Sequence, residues 1–140
     1  ILTVEASGIA VACMAAGHFG YPPVVYAKKA VPSTMTEGFY EAEARSFTKG
    51  TVSMFRVSEK FLGPEDKILI IDDFMRGGGS IKGLVEIFSE VDISIVGIGV
   101  AIVNIEPEKK KVQNYFPIVH LGEVDETAKS VEVIPNCQIF

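Results

Sequence analysis

Asp72 and Asp73 stand side by side at the end of an apolar run, Lys67-Ile68-Leu69-Ile70-Ile71, and Phe74-Met75-Arg76 then lead into Gly77-Gly78-Gly79-Ser80. Two adjacent carboxylates at a strand end can accept hydrogen bonds from vicinal ribose hydroxyls and can stabilise positive charge developing on a ribose ring. Three glycines let the backbone turn its N–H groups inward with no Cβ in the way. A helix opening near Ser80 adds its N-terminal dipole, and the Ser80 hydroxyl adds a donor, so a phosphate dianion fits beside the carboxylates. The segment is not a Walker A loop, which needs Gly-Lys-Ser/Thr. Nor is it GxGxxG, which lacks an acidic pair ahead of it. A plain glycine-rich strand-to-helix turn with acidic capping residues is the structural alternative. The order of four hydrophobics, two Asp, two more hydrophobics and Gly-Gly-Gly-Ser favours the ligand site.

Two further clusters carry possible chemistry. Ala6-Ser7-Gly8 follows a core-like segment and reads either as a second anion-binding turn or as an ordinary strand-to-helix turn with Ser7 as N-cap. Lys28 and Lys29 follow Val24-Val25-Tyr26-Ala27. Surface lysines are usually solvated and silent, but these two end a strand at the edge where the acidic pair also sits, and Lys29 is the stronger candidate.

The elements that position these groups follow from hydrophobic pattern. Residues 1–5 read as a short buried strand and residues 9–19 as a helix packed on a sheet, stopped by Gly20-Tyr21-Pro22-Pro23. Residues 24–27 form a second buried strand. From 30 to about 63, Thr, Ser, Glu and Gly dominate, and residues 51–57 alternate polar and apolar, as expected of an exposed β-hairpin or flap. Residues 67–71 form a buried strand bounded by the two aspartates. Ile81, Leu84, Val85 and Phe88 keep helical spacing. Residues 94–103 form a central parallel strand. A charged helical turn is expected over 107–112, and two shorter strands, 118–121 and 131–134, close the chain. Alternating strands and helices predict an α/β domain with a mostly parallel sheet flanked by helices.

Composition narrows the class. At 140 residues the chain is one domain, with 48% hydrophobic residues for its core. No apolar run approaches the ~20 residues a membrane span needs. A net charge of -5 argues against a nucleic-acid-binding surface in this segment. Cys13 and Cys137 show no metal or redox spacing and read as two buried free thiols of a cytoplasmic protein. The opening Ile1-Leu2-Thr3-Val4 is already core-like, so the expectation is a core domain over residues 1–140 that lacks an N-terminal hood or an upstream domain.

The segment from Ile70 to Ser80 resembles the signature of type I phosphoribosyltransferases for 5-phosphoribosyl-1-pyrophosphate (PRPP), with Gly77 and Ser80 where that family commonly has threonines. Thr3-Val4-Glu5-Ala6-Ser7-Gly8 resembles the family's pyrophosphate loop, which often holds a non-proline cis peptide, expected here at Ala6–Ser7. Residues 25–29 resemble its second loop, and the Thr/Ser-rich stretch resembles its flexible hood-like loop. Within that stretch Ser46-Phe47-Thr48-Lys49, with Glu5 and Ile-Ile-Asp-Asp-Phe, is similar to the Bacillus-type xanthine phosphoribosyltransferases.

The resemblance implies transfer of a phosphoribosyl group from PRPP to a purine base, with pyrophosphate released and Mg2+ bound through PRPP rather than by the chain's own ligands. Asp72 and Asp73 would be the catalytic pair. Arg76, Gly77, Gly78, Gly79 and Ser80 would cradle the 5′-phosphate, while Ala6, Ser7, Gly8, Lys28 and Lys29 hold pyrophosphate. Asn104 and Phe74 would contact the purine, and Ser46, Thr48 and Lys49 belong to the closing loop. Two departures bear on the base. Arg76 stands where hypoxanthine-guanine enzymes have an acid, and Asn104 where the xanthine branch has a lysine. A homodimer is implied, since family members usually dimerise. A second resemblance, to the PRPP-sensing domain of purine operon repressors, rests on Asp-Asp-Phe-Met, the following basic residue, Ile81-Lys82-Gly83 and the pattern from 114 to 134. It implies binding without transfer.

Overall fold

The computed structural model describes residues 1–29, 38–45, 52–89 and 91–138. Strand β1 (Leu2–Val4) enters helix α1 (Ser7–Ala16), and a short 3-10 turn over Gly17–Phe19 leads to β2 (Val25–Ala27). A hairpin of β3 (Phe39–Arg45) and β4 (Val52–Ser58) precedes β5 (Lys67–Met75), α2 (Gly79–Ile87) and β6 (Ser94–Asn104). Strands β7 (Phe116–Asp125) and β8 (Ser130–Pro135) complete the described chain. The main sheet has the order β2-β1-β5-β6-β7-β8, parallel from β2 to β7 and antiparallel only between β7 and β8. The mostly parallel α/β architecture expected from the pattern is therefore present.

Local chemistry accounts for the elements. The Ala-rich α1 suits a helix. It closes at Gly17, and Gly20 at φ 78 then takes the left-handed conformation ahead of Pro22-Pro23. Its N-cap is Ala6, with no side-chain capping bond, so Ser7 is the first helical residue and not the cap. Strand β6 is paired on both sides, as its β-branched run requires.

Several expectations are corrected. Strand β5 continues through Asp72 and Asp73 to Met75, because Asp72 pairs with Val100 and Phe74 with Ile102 of β6. The described strands of the hairpin are not an exposed flap. Ala44, Phe55 and Val57 are buried in the same core as Leu84 and Ile70, and Tyr40 packs edge-on against Phe88 with ring centroids 5.7 Å apart. Gly83 permits this approach, since a Cβ there would stand 2.6 Å from that of Ala44. Full burial of Phe55 or Leu84 is worth about 1.5–3 kcal/mol each. Strand β2 is an edge strand, and its Tyr26 is exposed. Cys13 and Cys137 are exposed and not buried, because neither faces the core. Residues 107–112 form bends and no helical turn. Pro107 brings no N–H, and the Lys110 ammonium takes the carbonyls of Asn104, Ile105 and Pro107 at 2.6, 3.2 and 2.6 Å. Among the described residues no helix is long and apolar enough to cross a membrane.

Candidate active site

Neighbouring parallel strands β1 and β5 each run into a loop and then a helix, so both helix N-termini open at one edge of the sheet, with the carboxylates of β5 between them. This is the crevice where open α/β sheets bind ligands. Helix α2 has no acidic residue in its first turn and no side-chain cap, so neither competes with a ligand for its leading N–H groups. Its N-cap, Gly78, lies at φ 77, and a Cβ there would also stand 3.1 Å from Val112 Cγ2. Only glycine meets both constraints. Gly77, Gly78 and Gly79 are buried, Ser80 is half-buried and Arg76 is exposed. The loop after β6 latches onto this turn, with Lys111 N–H donating to the Gly77 carbonyl at 3.0 Å.

Asp72 is only 6% exposed, while Asp73 is half-buried. The Asp73 backbone N–H donates to Asp72 Oδ1 at 3.0 Å. Burial, followed by the adjacent Asp73 carboxylate, pushes the Asp72 carboxyl up to about 7, against the opposing pull of Lys29. A group that changes charge near neutrality in a crevice between two helix N-termini marks a candidate functional site.

On the β1 side, Ala6 and Ser7 are exposed and Gly8 is buried. A non-proline cis peptide is present, but between Glu5 and Ala6, one bond earlier than expected. The Glu5 carboxylate accepts from the Lys29 backbone N–H at 2.7 Å, joining the turn to the end of β2. The two lysines are separated by their surroundings. Lys28 pairs its backbone with Arg56 at 2.8 and 2.9 Å and lays its ammonium 5.8 Å from the Tyr26 ring centroid. Lys29 is exposed and its charge reaches Asp72. Lys29 is thus exposed with its charge felt at Asp72, while the Lys28 ammonium turns toward an aromatic face.

Phe74 is 43% exposed and adjoins Ile102 in register, leaving an apolar surface beside the carboxylates. Asn104 ends β6, and its Oδ1 accepts from the Glu106 N–H at 2.8 Å, so its amide NH2 is the group left to donate outward. Ser46, Thr48 and Lys49 lie outside the described residues. Sequence reasoning missed Thr3, Lys110 and the latch over 105–112. Lys110 lies among other charged residues and carried no pattern, whereas Thr3 was the one polar residue of the first core strand.

No protein-family profile matches the chain. It is 50% identical over 102 residues to a xanthine phosphoribosyltransferase of Staphylococcus epidermidis, covering 73% of the chain and 53% of that protein. It is 42% identical over 135 residues to a xanthine phosphoribosyltransferase of Clostridium novyi, covering 96% and 70%. The chain thus spans about half the length of the Staphylococcus relative. The crystal structure of an adenine phosphoribosyltransferase from Rhodothermus marinus superposes with a TM-score of 0.69 at 15% identity, covering 86% of this chain and 68% of that one. The Giardia lamblia enzyme complexed with 9-deazaadenine gives 0.70 at 19% identity, covering 85% and 67%. At such identities the superpositions establish a shared fold.

Proposed function

The chain belongs to the xanthine phosphoribosyltransferase family, and from that premise we propose that it transfers the 5-phosphoribosyl group of PRPP to a purine base, xanthine first among them, in purine salvage. One observation carries this reading: two helix N-termini flank a pair of carboxylates at the ends of adjacent parallel strands. That arrangement offers separate seats for two phosphate groups, with a ribose between. The transferase names of the relatives favour the enzyme over the PRPP-sensing repressor domain.

In this reading residues 1–140 are the phosphoribosyl-handling core. The turn from Arg76 to Ser80 holds the 5′-phosphate by backbone N–H groups and the Ser80 hydroxyl. Ala6, Ser7, Gly8 and Lys29 hold pyrophosphate, with Lys28 a weaker contributor. Asp72 and Asp73 accept hydrogen bonds from the ribose hydroxyls. As the C1′–pyrophosphate bond lengthens, their charge offsets the positive charge growing on the ring. The base nitrogen bonds to C1′ as the C1′–oxygen bond breaks, the electron pair leaves with pyrophosphate, and the proton shed by the purine passes to water or to the departing pyrophosphate. Phe74 offers an apolar face to the purine and the Asn104 amide a donor to a purine carbonyl.

Magnesium that arrives with PRPP belongs to the same reading. A hard ion held by diphosphate and water needs few protein ligands, and it would offset charge on the departing diphosphate. A cytoplasmic homodimer completes the proposal.

The test is pyrophosphate release from PRPP with xanthine, guanine, hypoxanthine and adenine supplied separately. Turnover is expected with at least one oxopurine, xanthine fastest. Absence of turnover with all four would overturn the reading.

A further inference from the structure

We propose that Thr3 is a positioning residue for Asp72, its hydroxyl steadying the carboxylate from beneath while the carboxylate's other side engages the ribose. This rests on the assignment of Asp72 to the ribose.

Thr3 lies in β1 between Leu2 and Val4 and is 0% exposed. Its Oγ1 is the buried side-chain polar atom that has no hydrogen-bond partner among the described residues. Buried hydroxyls are ordinarily paired, and valine would fill the same volume at an apolar strand position without that penalty. The hydroxyl also has a direction. A Cβ added to Gly8 would collide with Thr3 Oγ1 and stand 3.1 Å from Asp72 Oδ1. Both oxygens therefore converge on the one patch of α1 that carries no side chain. Gly8 keeps the space between them open.

Asp72 needs such a partner. Its carboxyl is raised to about 7 by burial and by Asp73, even though the Asp73 N–H and the Lys29 charge favour the ionised form that accepts from ribose. The charged groups acting on it are Asp73 on its own strand and Lys29 from the end of β2. On the β1 and α1 side Thr3 Oγ1 and Asp72 Oδ1 face the same space over Gly8, and neither Thr3 nor Gly8 ionises. A hydroxyl can accept from the protonated acid or donate to the carboxylate by rotating about one bond. Thr3 can thus follow Asp72 through its change of charge without moving the strand.

Two substitutions test this. Thr3→Val removes the hydroxyl and keeps the shape, whereas Thr3→Ser keeps the hydroxyl and loses the methyl. In 13C NMR titrations of the Asp72 carboxyl in the unliganded protein, Thr3→Val should raise its pKa by about half a unit or more. Thr3→Ser should titrate like wild type. Thr3→Val should also weaken PRPP binding about fivefold, with thermal stability unchanged or higher. A purely structural threonine would give the opposite pattern, with lower stability and an unmoved titration. An Asp72 titration identical in wild type and Thr3→Val overturns the proposal, as does wild-type PRPP affinity in that variant. If Val packs badly, Thr3→Ala carries the same titration, and an unshifted value there overturns it equally. Failure of wild-type protein to bind PRPP would instead overturn the ribose assignment, a result the unliganded titration does not depend on.

Discussion

The turns that open α1 and α2 use the same device, a helix N-terminus beside the carboxylates, yet they are built in opposite ways. The α2 turn is buried, holds Gly78 in the left-handed conformation, and is latched by Lys111 and Val112 from the loop after β6. The α1 turn exposes Ala6 and Ser7 and is tied down from below by Gly8 against Thr3, and sideways by Glu5 to Lys29. A phosphoribosyl transfer needs both kinds of seat. The 5′-phosphate stays with the ribose throughout, so a rigid enclosed turn suits it. Pyrophosphate must leave, and an exposed turn suits a departing group. In the proposed reading the difference between the turns would match the difference between what is kept and what is released.

The carboxylates between the turns give the largest way to break that comparison. Asp73→Asn should lower kcat by about 10²–10³-fold with an unchanged melting temperature, since the half-buried side chain acts on charge and not on packing. Near-normal turnover in that variant would refute its role. Asp72 offers a stability test of opposite sign. Its folded-state carboxyl sits near 7, above the ordinary value of 3.8, so the folded protein binds the proton more tightly than the unfolded chain does. Stability should fall as pH rises from about 4 to 7. Asp72→Asn should remove that fall and stabilise the protein at pH 8 by on the order of 3 kcal/mol, read by urea denaturation at pH 5 and 8. A pH-independent difference would show that the carboxyl is not perturbed.

Smaller effects separate the turns themselves. Gly78→Ala places a Cβ at φ 77 and against Val112, which costs about 1–3 kcal/mol. It should weaken ribose 5-phosphate binding about tenfold or more while leaving pyrophosphate binding within twofold. Lys29→Met should do the reverse at a smaller scale, weakening pyrophosphate about fivefold and sparing ribose 5-phosphate, as for loss of one charge-assisted contact. Lys28→Met should have less effect than Lys29→Met, because its ammonium rests on Tyr26. Equal losses for both ligands in either turn would collapse the distinction, and isothermal titration with each ligand reads it directly.

The acidic pair, the glycine turn and the strand and helix that carry them were legible in the chain because they are contiguous, and local period and glycine placement report on contiguous structure. The same holds for β6, whose β-branched run marks a strand paired on both sides. The hairpin was misjudged because polar and apolar alternation tells that one face is buried but not against what. Here it is α2, admitted by Gly83. The bends at 107–112 were read as a helical turn because charge and Pro spacing suit one, whereas the Lys110 ammonium takes the Pro107 carbonyl that such a turn would use.

By itself the sequence determined the chemistry on offer: two carboxylates, two glycine-bearing turns and a basic pair, each beside its own strand. Tertiary structure decided how they combine. Setting β1 beside β5 aims both turns at one point, and the Tyr26 ring and the Glu5 carboxylate distinguish Lys28 from Lys29. It also turns Thr3 Oγ1 and Asp72 Oδ1 toward the same patch of α1 at Gly8 and ties Lys111 to the Gly77 carbonyl. These are contacts between residues tens of positions apart. Which of them form depends on sheet order and packing, which local patterns of residues do not encode.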